Sequence, residues 1–252
     1  MEKAIRDRFN DKILAEARRR YAIAAVDLAE LGGFESFIYG FQRDNADYIL
    51  RLGHSRRRSP DLIRGEVDWI NYLAAGGAGV AKAVLSKNGE LVELLPDGHG
   101  GHFLATAFVK APGGPVWEQG GWTEAWLEHY GRLLGRMHAL SKTYTLANPA
   151  WRRYAWDDPV NANIPDVDPL VTAQHAQVMA HLRTLPTDAD SYGMIHQDAH
   201  AANLFIDAQG QITLFDFDDC CYGHFAYDVA MVIFYVLVNV ADVAAPGRFF
   251  WP

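Results

Sequence analysis

One short stretch of the chain, Met194-Ile195-His196-Gln197-Asp198-Ala199-His200-Ala201-Ala202-Asn203, gathers a carboxylate, two amides and two imidazoles, and a further acid, Asp216, follows after two apolar runs. An Asp and an Asn side by side suit a hard divalent cation such as Mg²⁺, which keeps several waters and takes only one or two protein carboxylates. A second carboxylate is then left to act as a base. Phosphoryl transfer needs this set: Asp198 to accept or orient the proton of an acceptor hydroxyl, and Asn203 with Asp216 to hold the Mg²⁺ that bridges ATP phosphates.

The local sequence explains how these groups could meet. Leu204-Phe205-Ile206 and Ile212-Thr213-Leu214-Phe215 flank the polar stretch Asp207-Ala208-Gln209-Gly210-Gln211, which predicts a β-hairpin. Its two ends set Asn203 beside Asp216, and Asp198 lies in the loop that feeds the first strand.

His196-x-Asp198-x-x-x-x-Asn203 followed by Phe215-Asp216-Phe217-Asp218 resembles the catalytic and metal motifs of the aminoglycoside phosphotransferase and choline kinase superfamily. Protein kinases carry Arg after the His and end the second motif in Gly. This chain has Gln197 and Asp218 there, and His200 is typical of the small-molecule branch. The resemblance implies an α+β, two-lobed protein-kinase-like fold, with an N-terminal antiparallel sheet plus helix and a mainly helical C-terminal lobe. It also implies ATP and Mg²⁺ as cofactors and a hydroxyl-bearing small molecule as acceptor.

The elements upstream can be read in that light. Residues 1–21 alternate charged and apolar positions as one surface helix would. Ala24 to Leu52 reads as three strands of an antiparallel meander, broken at Gly32-Gly33 and at Arg43-Asp44-Asn45. The first break carries Gly33 and Ser36, whose backbone and hydroxyl are candidates to hold phosphate oxygens. Ser59-Pro60 is a helix start. At about 100° per residue, Leu62, Ile63, Trp69, Ile70 and Leu73 form a stripe roughly 120° wide with Glu66 at its centre. A buried acid demands a partner, and Arg51 is the candidate. The resemblance implies that Arg51 holds the nucleotide phosphates and that Glu66 positions it.

Lys87-Asn88-Gly89 predicts a hairpin between Val80–Leu85 and Leu91–Leu95, and His102–Val109 predicts a last strand. The composition break at Lys110-Ala111-Pro112-Gly113-Gly114-Pro115 sets the boundaries: a nucleotide-binding lobe over 1–109, a hinge linker over 110–115, and a catalytic and acceptor-binding lobe over 116–252. By family position, Ala107 and Val109 are candidates to meet adenine.

Trp122 to Lys142 has strong helical periodicity and predicts a central core helix, with His138 in a structural role. Residues 144–170 are aromatic and acidic with little periodicity. Trp156 and Asp157 there, with Asp218 and Asp219, are candidates to touch the acceptor. A helix is expected from Pro169 to Leu185. His196 and Asp228 resemble groups that support the catalytic loop. Cys220 and Cys221 are adjacent, poorly placed for a disulfide, and suggest a reducing compartment.

Basic and acidic side chains balance over residues 1–109, so the whole net charge of −8 lies in residues 110–252. Such a surface attracts a cationic acceptor, for instance an aminoglycoside, a choline-like molecule or an amino alcohol, and repels nucleic acid. The start of the chain is charged throughout and no run of apolar residues is long enough to span a bilayer, so a cytoplasmic protein without membrane contact is expected. Family members usually continue with helices that wall the acceptor site. This chain stops at an apolar, proline-bounded tail, Ala245 to Pro252, which suggests truncation or an omitted stretch. Two other functions stay open, a catalytically inactive nucleotide-binding or scaffold protein and a protein kinase; the oligomeric state is also open.

Overall fold

The computed structural model describes residues 2–24, 27–158 and 168–239. Two helices, α1 (Lys3–Arg6) and α2 (Asp11–Tyr21), replace the single one expected over residues 1–21. Asn10 divides them, because its Oδ1 accepts the amides of Lys12 and Ile13 and caps α2. The sheet follows, with β1 (Leu28–Gly32), β2 (Phe37–Arg43) and β3 (Ala46–His54) in the expected antiparallel meander. β1 begins at Leu28, later than the sequence suggests.

Helix α3 (Pro60–Ala75) starts where sequence chemistry says it should: Ser59 Oγ accepts the Leu62 amide, and Pro60 opens the first turn. Beyond it lie β4 (Ala83–Val84), β5 (Glu93–Pro96) and β6 (His102–Val109). The Asn-Gly turn does not build the hairpin its sequence suggests. β4 and β5 instead pair end to end along one edge of β6, while β3 takes the other edge. Glu93 explains the departure. Its carboxylate accepts from Ser86 Oγ at 2.6 Å and Asn88 Nδ2 at 2.7 Å and pairs with Arg20, so the turn's polar groups fold inward onto an acid rather than closing a strand pair.

Strand alternation sorts the sheet into two faces. Leu50, Leu52, Phe103, Ala105 and Ala107 pack with Ile13, Ala17 and Tyr21 of α2. The intervening Ile49, Arg51, Thr106 and Phe108 point to the opposite side, toward α3. A one-residue slip of β3 would send Arg51 into the α2 core, so the register of this sheet is also the register of the site.

The rest of the described chain comprises α4 (Glu124–Ser141), α5 (Pro169–Leu182), β7 (Tyr192–Ile195), β8 (Leu204–Ile206), β9 (Ile212–Leu214), β10 (Cys221–His224) and α6 (Phe225–Asn239). α4 buries Tyr130, Leu133, Leu134 and Met137 in a core shared with α3, β8 and β9. β8 and β9 form the expected hairpin, Leu204 opposite Leu214. The hairpin is clasped twice by backbone from the N-terminal half. Gly114 and Ile206 exchange amide bonds of 3.2 and 2.8 Å, and residues 79–81 bond Leu214 in both directions at 2.9 Å. At Gly113, φ is +81° and a Cβ would lie 1.9 Å from the Ile206 carbonyl, so only glycine fits that crossing.

No helix among the described residues is long and apolar enough to cross a membrane. Both cysteines are free and buried, and burial pushes the Cys220 thiol up to about 12, the state of a packing residue rather than a reactive thiolate. The tail from residue 240 onward and residues 159–167 of the aromatic loop lie outside the described residues.

Candidate active site

The loop between β7 and β8 carries the acid and the amide singled out above. Asn203 Nδ2 donates to the Asp198 carbonyl at 2.9 Å and to Asp198 Oδ2 at 2.8 Å, which commits the nitrogen and leaves Oδ1 as the acceptor available to a cation. The Asn203 carbonyl takes the Phe215 amide at 2.8 Å, joining the loop to the residue before Asp216. His196 makes a second tie. Its Nδ1 accepts the Asp198 amide, so the ring proton sits on Nε2 and is donated to the Phe215 carbonyl at 3.0 Å. Asp198 and Asn203 are therefore joined directly, and the residue before Asp216 is bonded to both His196 and Asn203 across the β8–β9 hairpin.

Support for this loop comes from beneath. Asp228, fully buried at the start of α6, accepts the amides of His196 at 3.1 Å and Gln197 at 2.9 Å and meets His138 Nε2 at 3.0 Å. Tyr130 of α4 donates its hydroxyl to the Ala199 carbonyl at 2.9 Å, and Ser141 donates to the Met194 carbonyl at 2.7 Å. Gln197 and Asp216 are held at φ of +70° and +61°, a region that costs a side-chain-bearing residue about 1 kcal/mol or more and survives only where neighbours enforce it.

Burial by itself would raise the Asp198 pKa, but hydrogen bonds from His200 and Asn203 hold it below the usual carboxylate value. The Asp198 bond raises His200 in turn, across 3.4 Å between Nε2 and Oδ1. Asp198 is thus an ionised, oriented acceptor.

A cleft of about 560 Å³ opens beside Asp216, walled by Ile38, Ile49, Ile70, Phe108, Phe215 and Phe217. Arg51 and Glu66 lie at its polar end. Two parallel contacts of 2.7 Å join guanidinium to carboxylate, and Arg51 Nε reaches Thr106 Oγ1 at 3.3 Å. Burial alone would lower the Arg51 pKa, yet the Glu66 charge more than reverses it. Burial pushes Glu66 up while Arg51 opposes. Removing one partner of such a buried pair strands the other, at a cost of about 3–5 kcal/mol.

The other candidates sort unevenly. Val109 lines the cleft, but Ala107 is sealed in the sheet between Leu50 and Val84. Lys110, Ala111, Gly113 and Gly114, which the sequence reading placed in the hinge linker without naming them as site residues, line the cleft as well. Gly33 and Ser36 sit on the β1–β2 loop outside that lining, where a Cβ at Gly33 would meet the Ser36 carbonyl at 2.0 Å. Trp156 packs on His224 and bonds the Tyr222 carbonyl, while Asp157 pairs with Arg183. Asp218 and Asp219 are engaged by Arg57 and Arg58. The sequence reading also missed Arg57, Arg58 and the buried Arg153. The Arg56-Arg57-Arg58 run immediately before a capped helix was the available signal.

A family model, the phosphotransferase enzyme family, matches residues 28–249. The amicoumacin kinase of Bacillus subtilis (strain 168) is 40% identical over 231 residues, 90% of this chain and 68% of that protein. Among solved structures, the amicoumacin kinase hAmiN in complex with AMP-PNP, Ca²⁺ and Ami superposes with a TM-score of 0.92 at 33% identity, covering 99% of this chain and 77% of that one. A microcompartment-associated aminopropanol kinase superposes with a TM-score of 0.73 at 24% identity over 95% of this chain and 78% of its own, a likeness of fold.

Proposed function

The chain belongs to the phosphotransferase enzyme family and is an ATP-dependent small-molecule kinase of protein-kinase-like fold, and from that premise we propose that Asp198 is its acceptor-side base and that Asn203 and Asp216 hold the metal. One observation carries the assignment: the 2.8 Å bond from Asn203 Nδ2 fixes Asp198 Oδ2, while the Asn203 carbonyl is bonded to the Phe215 amide beside Asp216. Base and amide are thus one unit, tied through Phe215 to the second acid, which lines the cleft.

The donor set fits a small hard cation, since Asn203 Oδ1 and the Asp216 carboxylate are both oxygen ligands. AMP-PNP and Ca²⁺ bind the similar hAmiN, which supports ATP and a divalent metal here, and Mg²⁺ is our proposal for the ion. When bound, Mg²⁺ would neutralise charge on the phosphate oxygens. Arg51, locked by Glu66, is the proposed phosphate cation, and Gly33 and Ser36 the proposed loop contacts. Asp198 orients the acceptor hydroxyl and takes its proton as the oxygen attacks the terminal phosphorus in line, and the bond from that phosphorus to the bridging oxygen breaks to release ADP. Its low pKa makes it a weak base, so most of its effect is orientation, and the rate advantage comes from positioning plus charge neutralisation.

We assign residues 1–109 to nucleotide binding, 110–115 to the hinge and the remainder to catalysis and acceptor binding. The Gly113-Gly114 crossing supports the division, and the α2-facing side of the sheet packs with α2 in a cluster drawn from residues 1–109 alone. For the acceptor we propose a small cationic molecule bearing a hydroxyl, of the amicoumacin or amino-alcohol kind. The names of the similar kinases and the acidic excess of residues 110–252 support it.

The test is ATP consumption across cationic amino alcohols, amicoumacin-type compounds and neutral sugars, with wild-type chain and Asp198→Ala. Turnover should favour the cationic acceptors, and Asp198→Ala should lose roughly a hundredfold to ten-thousandfold in kcat while ATP still binds. Full turnover in the variant would remove Asp198 from the base role, and a preference for neutral sugars would remove the cationic acceptor.

A further inference from the structure

Arg57, in the turn between β3 and α3, is contacted by acids from two other parts of the chain. Its Nη2 pairs with Glu35 on the β1–β2 loop, its Nη1 with Asp218, and Asp219 lies 3.8 Å away. The two main contacts differ in firmness. Asp218 is anchored through its backbone, because its carbonyl accepts from Arg153 Nη2 at 2.5 Å, and buried Arg153 also binds the Leu62 carbonyl at 3.0 Å and the Cys220 carbonyl at 2.8 Å. Arg58 adds a 3.6 Å contact to the Asp218 carboxylate. Burial alone would raise the Asp218 pKa, yet Arg51, Arg57 and Arg58 hold it below the carboxylate norm. Arg57 is itself fixed, with its amide bonded to the His54 carbonyl at 2.9 Å.

Glu35 is the compliant end. Its side chain is 44% exposed, against 19% for Arg57 and 13% for Asp218. It rides on a loop where the β1–β2 register shifts and Gly33 takes a φ of +146°. We propose that Arg57 is a positioning residue for this loop: it cross-ties Glu35 to Asp218 and so presets the loop over the place of the nucleotide's outer phosphates. Both terminal nitrogens of the guanidinium already carry a carboxylate, so Arg57 acts through the loop and not on the phosphates. The physical gain is pre-organisation. A loop ordered before the ligand arrives spares binding the entropy of ordering it.

The inference rests on the reading that ATP phosphates lie beneath this loop, and the experiment separates the two. Dissociation constants of a fluorescent non-hydrolysable ATP analogue with Mg²⁺, and of adenosine, are compared for wild type, Glu35→Gln, Arg57→Gln and the double variant, with melting curves for each. Each single variant should weaken the triphosphate roughly fivefold to tenfold, with adenosine unchanged and the double variant no worse than Arg57→Gln. Additive losses, parallel loss of adenosine, or unchanged triphosphate affinity would each overturn the cross-tie. Should Arg57→Gln fail to fold, half-exposed Glu35→Gln decides alone by the same measure. A wild-type chain without triphosphate affinity overturns both readings, whereas wild-type affinity with unaffected variants overturns only this one.

Discussion

Two loops carry proposed site residues, and they are held in opposite ways. The loop from His196 to Asn203 is fastened through its backbone: Asp228, Tyr130, the Phe215 amide and, just upstream, Ser141 take or supply main-chain bonds along its path. The loop from Gly32 to Ser36 ends a two-strand ribbon and is tied by an ion pair at its tip. The difference matches the role proposed for each. A proton acceptor must be placed within a fraction of an ångström, whereas a loop over phosphates must let a nucleotide in and out. Backbone hydrogen bonds to buried groups serve the first need, and a half-exposed charge pair serves the second.

The sharpest way to break that contrast is Asp228→Asn. An amide cannot accept from two backbone amides and His138 as a carboxylate does, and its own N–H groups face other donors. Loss of alignment should cut kcat roughly a hundredfold with the KM for ATP little changed. Steady-state kinetics with the identified acceptor would read it, and an unchanged kcat would mean that the backbone bonds beneath the loop do not set its chemistry.

Gly33→Ala tests the other loop. At a φ of +146°, with the Ser36 carbonyl 2.0 Å from a new Cβ, the alanine must shift the loop and nothing in the core. The KM for ATP should rise about tenfold while the melting temperature moves by no more than roughly 2 °C. A large loss of stability would show that this loop is as firmly built in as its counterpart.

The smallest effect belongs to His200→Ala. The Asp198 pKa is depressed from 3.8, so its share of the pairing energy is present above that value and is lost as pH falls through the folded pKa. His200 is raised from 6.5, so its share is present below that value and is lost as pH rises through the folded pKa. Both contribute between pH 3.8 and 6.5. The partly exposed pair adds about 0.5 kcal/mol or less there. Urea unfolding across pH should show the variant's deficit greatest in that window and fading above it, and a deficit independent of pH would assign His200 to packing.

Much of this arrangement was legible in the primary structure because it is local. Hairpin chemistry around Gly210 juxtaposed Asn203 with Asp216, and the helical stripe around Glu66 demanded a cation that strand alternation supplied at Arg51. The hairpin expected at Asn88-Gly89 failed for a reason no local pattern holds, a buried Glu93 that recruits Arg20 from α2. The acids proposed for the acceptor illustrate the same limit. Asp218, Asp219 and Asp157 have the right charge, but each is met in the fold by an arginine distant in sequence.

Residue spacing by itself determined the family and pointed to the proposed catalytic constellation, because the spacing of those motifs is set by turns a few residues long. Only the tertiary structure decided which charges are paired. Pairing depends on which loops are folded against one another, and the partners of Asp228, Asp218 and Glu35 lie 32, 161 and 22 residues away along the chain. Contacts at such separations leave no periodicity in the sequence, and burial, which makes each pairing obligatory, exists only once the chain has folded.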